Sequence, residues 1–176
     1  MRPLSAVLLA AAIPILSGCA GYTVGPIKPT VMKSVQTIAV ASFKNDTLHP
    51  RVEVLVANAV IKQIQQDGTY QIADEKTADV ILEGTIEGID RRPSRSVRGN
   101  VLQTREFVTV IRARVRIYRR DTGVDLDTRL VTGTSNFFVT GSRTIAADVI
   151  QDERQAIPLA AEEMAVRLVS QISEGW

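Results

Sequence analysis

Two hydrophobic periods divide this chain, and each change of period marks an element. Residues 35–43, VQTIAVASF, are β-branched and apolar and stop at the polar KNDT, the pattern of a buried strand. Val52, Leu55, Val56, Ala59, Val60 and Ile64 then recur at three- and four-residue steps, which predicts an amphipathic helix. Asn45, Asp46 and Thr47 offer caps near its start, and Gly68 its stop. TYQIAD (69–74) reads as a short strand, and residues 74–78 as a turn.

From residue 79 the period falls to two. In DVILEGTIEGIDRR, Val80, Leu82, Gly84, Ile86 and Gly88 share one face, with Glu83, Thr85 and Glu87 on the other. PSRSVRGN is expected as the loop tip of a hairpin. The longest strand pattern follows over about 101–119, with Phe107, Thr109, Ile111, Ala113, Val115 and Ile117 on its apolar face. DTGVD is a turn, and TRLVTGTSNFFVT a third long strand.

The period returns to 3.6 at the C-terminus. Ala156, Ala160, Met164, Leu168 and Ile172 form a stripe that Ile157, Ala161 and Val169 widen, predicting a helix over about 153–173. Asp152 is a candidate cap, and Pro158 is expected within its first two turns. Two one-sided helices and a sheet with one apolar face pack most simply as an α+β two-layer sandwich. Both helices then lie on one face of a mostly antiparallel, four- to five-stranded sheet. The other face is left uncovered by this chain.

The first residues concern address. MRPLSAVLLAAAIPILSGC has an early charge at Arg2 and a mostly apolar run from Leu4 to Leu16, broken by Pro3 and Pro14 at its two ends. That is too short for a stable membrane span and reads as a secretory signal over residues 1–18. Leu16, Ser17, Gly18 and Cys19 match the bacterial lipobox, in which cleavage precedes the cysteine and its sulfur is acylated. Cys19 is the single cysteine of the chain. Its acyl chains would hold the protein at a membrane, and Ala20, in place of Asp, favours the outer membrane. Residues 19–34 then form a lipidated tether, and 35–176 one domain. The mature chain of 158 residues, Cys19 to Trp176, has no disulfide to rely on and must rest on its core.

Little catalytic chemistry is available. His49 is the only histidine, next to Pro50 at the predicted helix start, where a solvated or capping side chain is the simple reading. There is no G-x-S-x-G, P-loop or H-E-x-x-H motif, and no converging set of metal ligands. Glu162 and Glu163 are adjacent, so a helix points them about 100° apart, which does not make a working carboxylate pair. An enzyme, a cofactor or a metal centre is not expected.

LSGCAGYTVG followed by TIAVASFKNDT, then the amphipathic helix, short strand and long hairpin, resembles the lipopolysaccharide-assembly lipoprotein family, LptE. The I-A-V-x-x-F-x-N-x-T opening also occurs in other periplasmic lipoproteins, including activators of peptidoglycan synthases and curli-type secretion components. The alternative is therefore a periplasmic regulatory lipoprotein that activates a peptidoglycan synthase or is part of a secretion complex. The resemblance implies an outer-membrane lipoprotein that plugs a large β-barrel partner (LptD-like), the pair placing lipopolysaccharide in the outer leaflet. The family's ligand residues do not transfer by motif, so candidate contacts come from charge.

Charge is unevenly spread. The net of +2 conceals twelve arginines against four acids over residues 91–143, or +8, while the rest of the mature chain is −7. All twelve cations are arginine, which suits bidentate contact with phosphate or carboxylate. Arg112, Arg114 and Arg116 form a ladder on the polar face of the long strand, and Arg92, Arg95 and Arg98 mark the hairpin tip. A spacing of about 7 Å costs only about 0.6 kcal/mol per neighbouring pair in water, so a solvated ladder is cheap. A hairpin centred near Val97 and Arg98 would set Glu83 opposite Arg112 and Asp79 near Arg116. A second turn near Gly123 would bring Thr134 and Thr132 to Arg112 and Arg114, leaving at least one arginine without a close carboxylate. The ladder is then either a solvated, partly paired face or one that meets a barrel wall or lipid phosphates. Nucleic acid is not expected, since no aromatic platform accompanies the charge.

Overall fold

The structure is a computed structural model and describes residues 28–97, 100–138 and 146–174, the backbone alone at 95–97, 100–105 and 146–153. A 3-10 turn at Thr30–Met32 precedes β1 (Thr37–Val40), β2 (Lys44–Asn45) and helix α1 (Val52–Asp67). Then come β3 (Gln71–Ile72), β4 (Val80–Val97), β5 (Asn100–Arg119), β6 (Asp125–Phe138) and helix α2 (Ala146–Glu174). The strands order as β3-β1-β4-β5-β6, with β2 also paired to β4. Pairing is parallel where β1 meets β3 and β4, and antiparallel along β4-β5-β6. This is the expected α+β sandwich, with six strands among the described residues rather than four or five.

The sixth strand comes from a break in the segment expected as one strand over 35–43. Ala41 N–H still bonds Leu82 O (2.9 Å), and the chain rejoins β4 only at Lys44 and Asn45. Between them Phe43 turns inward onto Gly84, its ring lying where a side chain at Gly84 would stand, with Cζ 2.9 Å from the place a Cβ would take. Gly84 is therefore a socket for an aromatic ring.

Helix α1 ends as its sequence indicates. Gly68 takes φ +74° and its N–H bonds Ile64 O at 3.1 Å. Val52, Val56, Val60 and Ile64 are buried, but Leu55 is 38% exposed, one step outside the stripe that meets the sheet. The helix begins after Arg51 (φ +65°), so Asn45, Asp46 and Thr47 are not its caps. Asn45 instead organises the loop. Its Nδ2 donates to His49 O and to Glu53 Oε2, both at 2.8 Å, and its Oδ1 accepts Thr47 N–H at 3.0 Å. The N-x-T of the opening motif is thus a loop brace that reaches the first turn of α1.

Every residue of the predicted C-terminal stripe is buried, from Ala156 to Ile172. The helix starts earlier than expected, at Ala146, so Asp152 lies inside it and Pro158 is well beyond the first two turns. Pro158 has no N–H, so the carbonyl four residues back, at Arg154, lacks its helical donor. α2 lies over β6 and β5 and packs against α1, closing the main core, in which Met164 and Leu168 are fully buried, while Ala156 packs in a smaller cluster with Phe137. At Gly133 the helix backbone touches the sheet: a methyl there would fall 2.7 Å from Met164 N and closer still to Ala160 O. Tyr70 ties the far end by donating to Ile172 O at 2.7 Å; burial, then the Asp67 charge, pushes its hydroxyl up to about 12.

The hairpin differs most from expectation. Pro93 to Val97 are not loop but strand: β4 runs to Val97, β5 starts at Asn100, those two residues pair, and Arg98 and Gly99 lie outside the described residues. Register shifts near Pro93, Arg95 and Ser96 absorb the irregular residues. Leu82 O and Ile86 O point away from β5. With one residue inserted at Glu87, Pro93 comes to point away as well, so its missing N–H costs no ladder bond.

Candidate functional site: the uncovered sheet face and the hairpin

The helices cover one face, and the arginine ladder stands on the other, as the alternation requires. Ile111, Ala113, Val115 and Ile117 are buried while Arg112, Arg114 and Arg116 are half-exposed. The pairings, however, are not those expected from sequence. Glu83 lies opposite Arg116 and Gly88 opposite Arg112, because β5 carries extra residues near the tip and β4 one at Glu87. Across β5, Thr132 faces Arg112 and Leu130 faces Arg114, since the β5–β6 turn centres before Gly123.

All three ladder arginines are consequently paired. Arg112 bonds Asp90, Arg114 Nε donates to Glu87 Oε1 at 2.6 Å, and Arg116 Nη1 donates to Glu83 Oε1 at 3.1 Å. Arg116 also donates through Nε to Asp125 Oδ1 (2.7 Å), and its guanidinium lies 4.4 Å over the Tyr118 ring. These bonds, to Asp125 first and Glu83 second, raise its already high affinity for its proton. The expectation of an unpaired ladder arginine is overturned. It failed because the bulge at Glu87 shifts β4 by one residue, so that Gly88 and Asp90 join the arginine face rather than the apolar one. Gly88 has no Cβ, and Arg112 Nη2 lies 2.7 Å from where one would stand. Nothing in the alternation pattern announces that inserted residue.

Three cations here face four carboxylates, Glu83, Glu87, Asp90 and Asp125, so the ladder is locally neutralised. Exposed pairs of this kind contribute about 0–1 kcal/mol each. The basic surplus lies further along. Residues 91–107 hold five arginines and one acid, Glu106. Arg92 is exposed on β4, the Arg95 backbone pairs with Glu106, and Arg98 lies outside the described residues, as does Cys19. Among the described residues the last β5–β6 pair is Glu106 with Phe138, and β4 and β5 continue to pair beyond it as far as Val97 and Asn100. At its base Phe107 and Phe137 stack at 5.5 Å, with the Arg91 guanidinium 5.7 Å over Phe107.

The remaining arginines of the opposite end are structural. Arg119 Nη2 bonds Ser34 Oγ (2.6 Å), and Arg120 Nε bonds Ala78 O (2.7 Å). Asp79, expected near Arg116, instead accepts the Gln36 and Thr37 N–H groups at 2.8 and 3.0 Å. Those two bonds hold its carboxyl below the usual range. A depressed carboxylate stabilises the fold above its unfolded value of about 3.9 and loses that contribution as pH falls through the lower folded value. Asp79→Asn is expected to lose about 1 kcal/mol at neutral pH. Acid titration of unfolding checks this, the gap to the unsubstituted chain closing below the ordinary carboxylate range.

His49 lines a cleft of about 380 Å³ with Leu48, Pro50, Leu55, Arg154 and Ile157. Glu163 accepts Thr134 N–H at 2.9 Å and pairs with Arg167, while Glu162 lies 3.4 Å from Lys62. Among the described residues no three metal-ligating side chains converge, and no helix is long and apolar enough to cross a membrane.

Several solved structures share this architecture. PelC from Paraburkholderia phytofirmans, solved as a dodecamer, is 16% identical and covers 85% of this chain and 95% of its own, with a TM-score of 0.51. A protein of Xanthomonas campestris is 13% identical over 78% of this chain and 82% of its own, with a TM-score of 0.51. At such identities the likeness establishes the fold alone. No curated protein sequence matches the chain. The LptE lipopolysaccharide-assembly model matches residues 35–172, which take in the described sheet, α1 and all but the last two residues of α2, and the chain therefore belongs to the LptE family of lipopolysaccharide-assembly proteins.

Proposed function

We propose that this protein is an outer-membrane lipoprotein, acylated at Cys19, that plugs or supports a large β-barrel partner and binds lipopolysaccharide during its delivery to the outer leaflet. Binding is stoichiometric, with no turnover by this chain. The observation that supports the reading is the one-sided sandwich: among the described residues, a long polar sheet face without a helical cover, ending in an arginine-rich hairpin whose strands pair beyond the last described residue of β6. The two parts suit different counterparts. On the ladder each guanidinium already has a carboxylate, which suits a polar barrel wall matched by exchange of hydrogen bonds. The hairpin has cations in excess, which suits the phosphates of the lipid.

Detergent extraction of the acylated chain from its native envelope tests the reading. A large β-barrel protein is expected to co-purify in equal amount. Recovery of a peptidoglycan synthase without any barrel would overturn it in favour of a periplasmic regulator anchored to the outer membrane.

A further inference from the structure

The open edges of the sheet are unequally protected against pairing with another strand. β3 has two residues, too few to template one. The outer side of β4 beyond β2 is interrupted by Pro93 and by register shifts at Arg95 and Ser96. β6 has none of these devices from Asp127 to Phe138: no proline, no bulge, and a run of Thr, Leu and Val.

The direction of its backbone follows from two independent bonds. Leu82 O points away from β5 toward Ala41, so Ile117, opposite Leu82, directs its polar groups to Asp127 on β6. Odd-numbered residues of β6 therefore face β5, and even-numbered ones face outward. Thr134 N–H confirms the phase, since it is taken by Glu163 from α2 rather than by a strand. Before Thr134, the outward positions Thr128, Leu130 and Thr132 have N–H groups that meet no further strand among the described residues. Their side chains lie on the uncovered face, and Leu130 is 50% exposed.

A second copy does not fit this edge. α2 sits directly on β6 through the Gly133 contact, so two paired β6 strands about 4.8 Å apart would force two helices closer than the roughly 8–10 Å they need. The occupant must be an extended segment without a helix above it. A wall strand of a closed barrel is also excluded, since both its edges are already paired.

We infer that the β6 edge at Thr128, Leu130 and Thr132 is a strand-addition site that takes an extended loop or terminal segment of the barrel partner. This rests on the barrel reading above. Its side chains, Thr-Leu-Thr, select a β-branched or apolar complement on that face.

Leu130→Pro removes one outward N–H and no internal bond. The variant is expected to melt with the unsubstituted chain and to recover about tenfold less barrel after detergent extraction. Leu130→Thr keeps the N–H and is expected to recover barrel normally. Amide exchange provides a readout that needs no substitution. The Thr128, Leu130 and Thr132 amides are expected to exchange fast in the free protein and slowly in the co-purified complex. If Leu130→Pro fails to fold, that measurement decides alone. Full barrel recovery with folded Leu130→Pro, or fast exchange at these amides in the complex, overturns the edge site while the barrel reading stands. Absence of any barrel with the unsubstituted chain overturns both.

Discussion

Gly133→Ala is expected to destabilise the fold by roughly 3 kcal/mol, the upper end of what overpacking usually costs. For a chain of this size that lowers the melting temperature by roughly 6–12 °C. The added methyl meets helix backbone, Ala160 O and Met164 N, rather than the end of a mobile side chain. Relief requires α2 to move off β6, and the helix carries Met164, Leu168 and Ile172 of the core with it. Gly88→Ala is the matched control. There the nearest atom is the Arg112 guanidinium, the far end of a flexible side chain that can swing aside. It is expected to be close to neutral. Thermal unfolding of both variants checks the argument, and equal melting temperatures would mean that α2 does not sit directly on β6.

Replacing Arg92, Arg95 and Arg98 together by Ser is expected to weaken lipopolysaccharide binding by tenfold or more, and to make what remains less sensitive to salt. The same change at Arg112, Arg114 and Arg116 is expected to cost less than threefold for lipid. The reason is local charge. Ladder cations are already matched by Glu83, Glu87, Asp90 and Asp125, so a phosphate must displace a carboxylate to reach them. The hairpin has five arginines to one acid. Ladder variants are instead expected to reduce barrel recovery, because removing the guanidinium groups leaves four carboxylates unneutralised on the contacting face. Binding to lipopolysaccharide at two salt concentrations, with barrel co-purification alongside, separates the two roles. A larger lipid defect from the ladder than from the hairpin would reverse the assignment.

Much of the fold was legible because burial imposes a period. The strand face from Phe107 to Ile117 and the helix stripe from Ala156 to Ile172 are both as their spacing predicts. Leu55 shows the limit of that signal: it has helical spacing but falls just outside the arc that meets the sheet, and only the helix's rotation settles that. Pro93 marked a loop by composition. In the folded chain it sits on an edge where no N–H is needed, so the strand continues past it.

The site was legible in kind and not in detail. Three guanidinium groups on one face follow from alternation, and no tertiary information is needed to place them opposite the helices. Their partners depend on register, and register depends on single inserted residues. One extra residue at Glu87 moves Gly88 and Asp90 to the arginine face, and with them Arg112 gains both the space and the carboxylate it uses. A bulge of this kind has no periodic signature, because it interrupts a period rather than setting one.

By itself, then, the sequence determined the two helices and the long strands, most of their apolar faces and the uneven charge, since each is a property of neighbouring residues or of a fixed repeat. Tertiary structure alone decided which carboxylate meets which arginine, where α2 touches β6, and which backbone groups remain outward on that edge. Those contacts join residues tens of positions apart, and a shift of one residue in pairing redirects every side chain beyond it.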